Sequence, residues 1–232
     1  MGVSLGAGPG AIHVARATMG GMDADGRQDG RFRRRARRVA YENPWITVWH
    51  DDVTRPDGSP GIYGVVHFAN LAVGVVAIDE QDRVVLVRQH RYTLDEDSWE
   101  LPEGGVPAGE SALDGARREL REETGVEADA WRELAHLDLS NSITDERAVI
   151  FLATRLTVGV AEPDPTEVLA TRWVPFDEAL AMTLDDRIRD VMSVVALQRV
   201  ALDRAAAGVP EMLAREPTAA PSGPAPDPDA AS

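Results

Sequence analysis

The stretch "EGGVPAGESALDGARRELREETGV", Glu103 to Val126, decides how this chain is read. It opens on paired glycines, closes on Gly125, and sets Glu119, Glu122 and Glu123 on adjacent turns of any helix it forms. Like charges at such spacings destabilise a helix by roughly 0.2–0.5 kcal/mol per pair, so something must offset them. Ser111 supplies an N-cap, Asp114 follows at the reciprocal capping position, and Gly125 falls where a left-handed C-cap belongs. The spacing predicts a helix from about Ser111 to Thr124. Steps of about 100° per residue gather Leu113, Ala116 and Leu120 into an apolar stripe, with Glu119 and Glu123 along its edge and Glu122 beyond Glu119. Carboxylates at a core boundary are costly unless a cation joins them. The bland alternative is a solvated helix in which Arg118 and Glu122 form an i,i+4 pair.

The rest of the chain narrows the classes. Its 232 residues suit one domain with tails. Lys and Arg together number 24 against 39 Asp and Glu, a net charge of −15, and every basic residue is arginine. Such acidity argues against coating nucleic acid, and an anionic substrate would need local arginines or metal to overcome the field. With Cys at 0, disulfides, thiolate zinc sites and cysteine nucleophiles are excluded. No apolar run reaches membrane-spanning length and no signal-peptide core is visible, so a cytoplasmic protein without membrane or nucleic-acid partners is expected.

Both ends are small-residue or Pro/Ala rich and aperiodic. Residues 1–38 are expected as a disordered arm, including the basic run "RFRRRARR", residues 39–208 as the folded domain, and 209–232 as a disordered tail. Inside, "WITVWHDDV" and "GIYGVVHFA" around "RPDGSP" predict a hairpin, and "LAVGVVAID" and "RVVLVRQHRY" predict two strands joined by a short turn. After the helix expected from about Ser111 to Thr124 come strand-like "WRELAHLDLS", "RAVIFLATRL" and "VLATRWVPF", a short helix "DEALAMTL", and a long amphipathic helix from Arg187 to Gly208. This order predicts an α/β fold, a mixed sheet covered on both faces as an α/β/α sandwich, with an N-terminal β-hairpin extension.

Gly104, Glu110, Arg118-Glu119-Leu120, Glu122-Glu123 and Gly125-Val126 fit the pattern G-x5-E-x7-R-E-U-x-E-E-x-G-U at every fixed position, and so resemble the box of the Nudix hydrolases. The resemblance extends over about Tyr41 to Ala207, and within the family the chain looks like the ADP-ribose pyrophosphatase group. "YENPWITV", the Q-x-R strand "VLVRQHRY", "WELPEGG" ahead of the box, and the closing helix "DDRIRDVMSVVALQRV" carry it. It implies an enzyme that uses Mg²⁺, with Mn²⁺ as a substitute, to cleave the diphosphate of ADP-ribose or a nucleoside-diphosphate sugar into a nucleoside monophosphate and a sugar phosphate. It also implies a homodimer assembled through the N-terminal strands.

The site residues follow from the same resemblance. Glu119 and Glu123 match metal carboxylates, Glu122 a further or water-mediated ligand, and the backbone carbonyl of Glu103 another. Arg118 would orient the acids and Glu110 would help fix it. Arg91 matches a diphosphate-binding arginine; the plain reading is an exposed strand cation. Trp45 matches an aromatic that stacks on the nucleobase; core or interface packing reads equally well. Glu100 matches an acid near the metals. For the water-activating base, "GVAEPDPTEVLATRWVP" offers Glu167 ahead of Glu162, with Glu146 in "ITDE" next.

One departure stands out. The group usually shows Ser-Pro-Gly shortly after the box; this chain has Ser140-Asn141-Ser142. Asn141 puts hydrogen-bonding groups where proline offers none, which leaves the substrate open among ADP-ribose and nucleotide hexoses. Two other classes stay open: a hydrolase of nucleoside triphosphates or dinucleoside polyphosphates, against which the long N-terminal hairpin and the Q-x-R strand argue, and a non-catalytic metabolite sensor, which would be expected to have lost box acids.

Overall fold

The computed structural model describes residues 30–161 and 170–207. Among them the chain divides into two compact units, one of residues up to Glu42 with Val48–Val65, the other of Asn43–Thr47 with everything from Val66 onward.

The N-terminal strands are β1 (Arg33–Glu42), β2 (Ile46–Thr54) and β3 (Pro60–Phe68), hydrogen-bonded in the order β1-β2-β3. The expected hairpin is the β2–β3 pair. Its turn closes through Arg55 N donating to Ser59 O at 2.8 Å, while Asp57 Oδ1 accepts from Ser59 N at 2.9 Å. The basic run does not behave as an arm: β1 begins at Arg33, inside the stretch 1–38 expected to lack structure. Cross-strand partners explain the difference. The Arg37 guanidinium grips Asp51 at both oxygens, 2.7 and 2.8 Å, and lies 3.8 Å above the Trp49 ring. Asp51 is buried, so this charge pair is shielded from the solvent that weakens most surface pairs.

In the second unit β4 (Leu71–Ala77) is central. It runs parallel to β9 (Arg147–Val158) and antiparallel to β7 (Glu103–Val106), and β8 (Val126–Asp138) completes the order β7-β4-β9-β8. Period-2 alternation sends Val73 and Val75 to one face and Val76 to the other. The first face packs against Ala116 and Leu120 of α1 (Ala112–Thr124). The second packs against Met182 of α2 (Phe176–Leu184) and Met192, Ala196 and Leu197 of α3 (Val191–Ala206). With both faces covered, β4 reads as an unbroken apolar run. The unit is an α/β/α sandwich around a mixed sheet. A smaller sheet, β10-β5-β6, is made by β5 (Arg83–Arg91), β6 (Glu96–Glu100) and β10 (Ala170–Pro175).

Two details depart from the periodicity. Sequence-adjacent β4 and β5 enter different sheets, with only the isolated bridge Ile78↔Val84 beside their connecting turn. The closing helix starts at Val191 rather than Arg187, because the Asp190 carboxylate accepts from Ser193 N at 2.7 Å and caps it there.

Candidate active site

The site begins at the glycines. In β7, Gly104 stands opposite Val73 of β4, and a Cβ on Gly104 would lie 2.2 Å from Glu119 Cδ. The Glu119 carboxylate therefore rests on bare main chain, a contact that only glycine permits. α1 is held in that register at both ends. Ser111 Oγ accepts from Asp114 N at 3.1 Å, and Gly125, at φ 70°, donates its N–H to Arg121 O at 2.8 Å. Gly125 is required twice over, since a Cβ there would meet Val160 and Ala161 backbone at 2.6 Å.

Arg118 ties the helix to the strand. It donates from Nη2 to Gly105 O at 2.8 Å, from Nε and Nη2 to Glu110 at 3.1 and 3.0 Å, and from Nη1 to Glu119 Oε1 at 2.7 Å and Glu122 Oε2 at 3.3 Å. The hydrogen bond from Arg118 holds the Glu110 carboxyl below its usual range, and the Glu110 bond in turn raises the guanidinium. Arg118 touches three of the box acids. The structure thus brings Arg118 into contact with the acids that the sequence sets beside it.

A second arginine closes the other side. Arg91 Nε donates to both Glu100 oxygens, at 3.0 and 3.1 Å, and its Nη2 reaches Glu100 and Glu103. Glu100 is 2 % exposed and takes a further bond from Gln89 Nε2 at 3.3 Å. Glu123, 4 % exposed, accepts the Glu103 N–H at 3.1 Å. Burial works against the Arg91 charge, yet its bond to Glu100 and the charges of Glu103 and Glu100 raise its pKa. Burial, then the charges of Asp190 and Glu100, push Glu103 well above the ordinary carboxylate range against the pull of Arg91. Its Oε2 is buried and has no hydrogen-bond partner.

Glu103, Glu119, Glu122, Glu123, Arg118, Arg91 and Glu100 thus come together. Among the described residues no three His, Cys, Asp or Glu side chains converge as a ready-made cation cage. The acids are shared between two guanidinium clamps instead, an arrangement that suits ligands able to be drawn onto a cation. The donor set, hard carboxylate oxygens with one buried oxygen unpartnered, fits Mg²⁺ or Mn²⁺.

Trp45 and Asn141 lie on separate loops. Trp45 follows an Asn43 turn, its N–H on Asn43 Oδ1 at 2.9 Å and its carbonyl accepting from Ala69 N at 2.9 Å; its indole is 68 % exposed, so it is no core residue. Asn141 sits in the exposed turn in which Thr144 N donates to Ser140 O at 2.9 Å. That loop is fastened to the end of β3: Asp145 accepts from Phe68 N at 3.0 Å and stands 2.6 Å from His67 Nδ1. Glu162 and Glu167 lie outside the described residues.

Three supporting groups escaped the sequence reading. Ser193 Oγ accepts from Leu101 N at 2.8 Å and pins the segment that leads into β7; Asp190 caps α3 and presses its charge on Glu103; the Asn70 amide lies where a Cβ on Gly105 would fall, 3.0 Å away. The Asp that follows Arg189 in "RIRDV" marks a cap, but nothing local links it to the box.

A strand, glycine turn and acid-edged helix in this geometry define a Nudix hydrolase. The chain belongs to that family: residues 69–195, more than half of it, match the family's NUDIX domain, and residues 32–66 match the nucleoside diphosphate sugar hydrolase N-terminal domain. It is 36% identical to an ADP-ribose pyrophosphatase of Mycobacterium tuberculosis (strain ATCC 25618 / H37Rv) over 65% of this chain and 73% of that one. A CMP-5'-(N-acetyl-N-hydroxy-3-aminopropyl)phosphonate hydrolase of Streptomyces rubellomurinus (strain ATCC 31215) is 31% identical over 66% of this chain and 74% of its own. In fold the chain is similar to a solved ADP compounds hydrolase, with TM-score 0.69 and 23% identity over 76% of this chain and 96% of that one. No helix among the described residues is long and apolar enough to cross a membrane.

Proposed function

We propose that this chain cleaves the diphosphate of ADP-ribose and of related nucleoside-diphosphate sugars, with Mg²⁺ or Mn²⁺, to a nucleoside monophosphate and a sugar phosphate. The observation that carries the reading is the Glu119 carboxylate seated on Gly104, with Glu123 and Glu103 bonded beside it and Arg91 on the far side. Glu119 and Glu123, with Glu122 and the Glu103 carbonyl, would hold the cation. Bound there, a divalent ion neutralises phosphate oxygens and lowers the pKa of water. Arg118 keeps the acids apart and aimed. Arg91 offers its guanidinium to the diphosphate, as a planar fork suits phosphate oxygens. Trp45 presents an exposed ring for the base, across a homodimer built largely from the strands between Trp45 and Phe68.

Carboxylates on a cation are poor proton acceptors, because the cation depresses their pKa. The proton of the attacking water therefore goes to another acid, Glu167 first and Glu162 second. Asn141, in place of proline, supports use of at least one nucleotide hexose about as well as ADP-ribose. The relatives accord with a shared reaction on varied leaving groups, since one is named for ADP-ribose and the other for a CMP-linked phosphonate.

A panel of ADP-ribose, ADP-glucose, UDP-glucose and GDP-mannose with Mg²⁺, followed by product identification, tests this. Nucleoside monophosphate plus sugar phosphate is expected from ADP-ribose and at least one hexose. Release of inorganic phosphate or pyrophosphate from nucleoside triphosphates alone would overturn the reading.

A further inference from the structure

The end of β3 and the start of β4 form one continuous run, Val66 to Val73, and the parts proposed for recognition are attached along it. Val66 N donates to Ile143 O at 2.9 Å and Val66 O accepts from Asp145 N at 3.2 Å, so the loop that carries Asn141 is paired with this run by main chain. Ala69 N donates to Trp45 O at 2.9 Å. Asn70 lies against Gly105, and Val73 stands opposite Gly104, on which Glu119 rests. The other end of the loop also returns near the box. Ala72 of β4 pairs with Gly105 on one side and Ala148 of β9 on the other, so the loop enters β9 two strand spacings, about 10 Å, from the glycines.

The loop's own bonds, Leu139 N to Glu146 O at 3.1 Å and Thr144 N to Ser140 O at 2.9 Å, fix its shape but not its place. To the two main-chain bonds with Val66 the Asp145 side chain adds charged ones. Its Oδ1 accepts from Phe68 N at 3.0 Å, and its Oδ2 lies 2.6 Å from His67 Nδ1, which donates to a carboxylate. Both side chains are less than a third exposed, and hydrogen bonds to an ionised group are short and directional. We infer that Asp145, held by His67, is a positioning residue for specificity: it fixes the Asn141 loop in register with Trp45 and the box, so that base and sugar are read at set distances from the diphosphate. Its bonds reach neither a box acid nor Arg91, so it serves selection rather than chemistry. The inference rests on the proposed function and adds to it the device that makes the substrate choice.

The test compares wild type, Asp145→Ala, Asp145→Asn and His67→Ala on ADP-ribose, ADP-glucose, UDP-glucose and GDP-mannose, with melting temperature measured on the same full-length proteins. Asp145→Ala removes both acceptors. KM on the best substrate is expected to rise about tenfold, the scale of one hydrogen bond to a charged group, with kcat nearly unchanged. The ratio of kcat/KM between the best and the poorest of the four should shrink several-fold, because a loop without its anchor discriminates less. Asp145→Asn keeps the shape: its oxygen accepts from Phe68 N and its amide donates to the other tautomer of His67, so KM and the ratio should return close to wild type. His67→Ala, which spares the Phe68 bond, should show the same change at smaller size and decides the matter if Asp145→Ala does not fold. A lower melting temperature with KM and the ratio as in wild type would mean a merely structural role and overturn the inference alone. An equal loss of kcat on all four, with KM unchanged, would place Asp145 in the chemistry and overturn it too. Wild type that cleaves none of the four would overturn the proposed function and this inference together.

Discussion

At the scale of single residues, chemistry here is set by what each carboxylate faces. Glu119, Glu122 and Glu123 were legible in the sequence because their spacing relative to Gly104 and Arg118 is itself the signal. Asp190 and Ser193 were not. Ser193 reaches Leu101 across 92 residues of sequence, and a contact at that range leaves no local trace. On sequence Glu146 is only a reserve candidate for the base, yet the fold gives it a property of its own. Burial, helped by the adjacent Asp145 charge, raises its pKa above 4.5. Between that ordinary value and the raised one, the folded protein holds a proton that the unfolded chain has released. Stability must therefore fall as pH rises through this window. Glu146→Gln removes the proton equilibrium, so wild type should lose melting temperature relative to the variant as pH goes from about 4 to 8. Parallel melting curves across that range would show that Glu146 is not perturbed.

Elements follow the sequence where their own periodicity suffices and depart from it where pairing decides. α1 was readable at both ends, and its cap is the simplest to check. Removing the Ser111 hydroxyl strips Asp114 N of its acceptor, so Ser111→Ala should cost about 1 kcal/mol. For a chain of this size that lowers the melting temperature by roughly 2–4 °C, with turnover nearly unchanged because the cap does not touch the acids. An unchanged melting temperature would mean that the helix start is held by packing alone. β6, by contrast, is Glu-Asp-Ser-Trp-Glu, a composition that reads as a turn. It is a strand because β5 offers it a partner from Arg91↔Glu96 to Val87↔Glu100, and that pairing is what sets Arg91 and Glu100 in one clamp. β1 is a similar case: six arginine-rich residues read as a solvated run until Asp51 and Trp49 appear across the strand gap.

For the whole molecule, a net charge of −15 works against any anionic substrate. Arg91 and Arg118 answer it locally, each bonded to two or more acids rather than exposed as a general basic patch. The N-terminal strands leave Val39, Tyr41 and Ile62 more than half exposed. Apolar side chains of this size on one small sheet are what a self-association surface requires. The proposed homodimer predicts a light-scattering mass near twice 25.1 kDa for the active species. Full activity at the monomer mass would rule the dimer out.

The central claim is that the acids on the edge of α1 bind the cation that drives diphosphate cleavage. Its most direct test is the turnover of Glu119→Gln on the best substrate of the panel at saturating Mg²⁺, with the fold checked by circular dichroism. This substitution keeps shape and removes charge from the carboxylate seated on Gly104. With the charge gone, kcat is expected to fall by about two orders of magnitude or more while the fold persists. Turnover near that of wild type, with the same dependence on Mg²⁺, would contradict it.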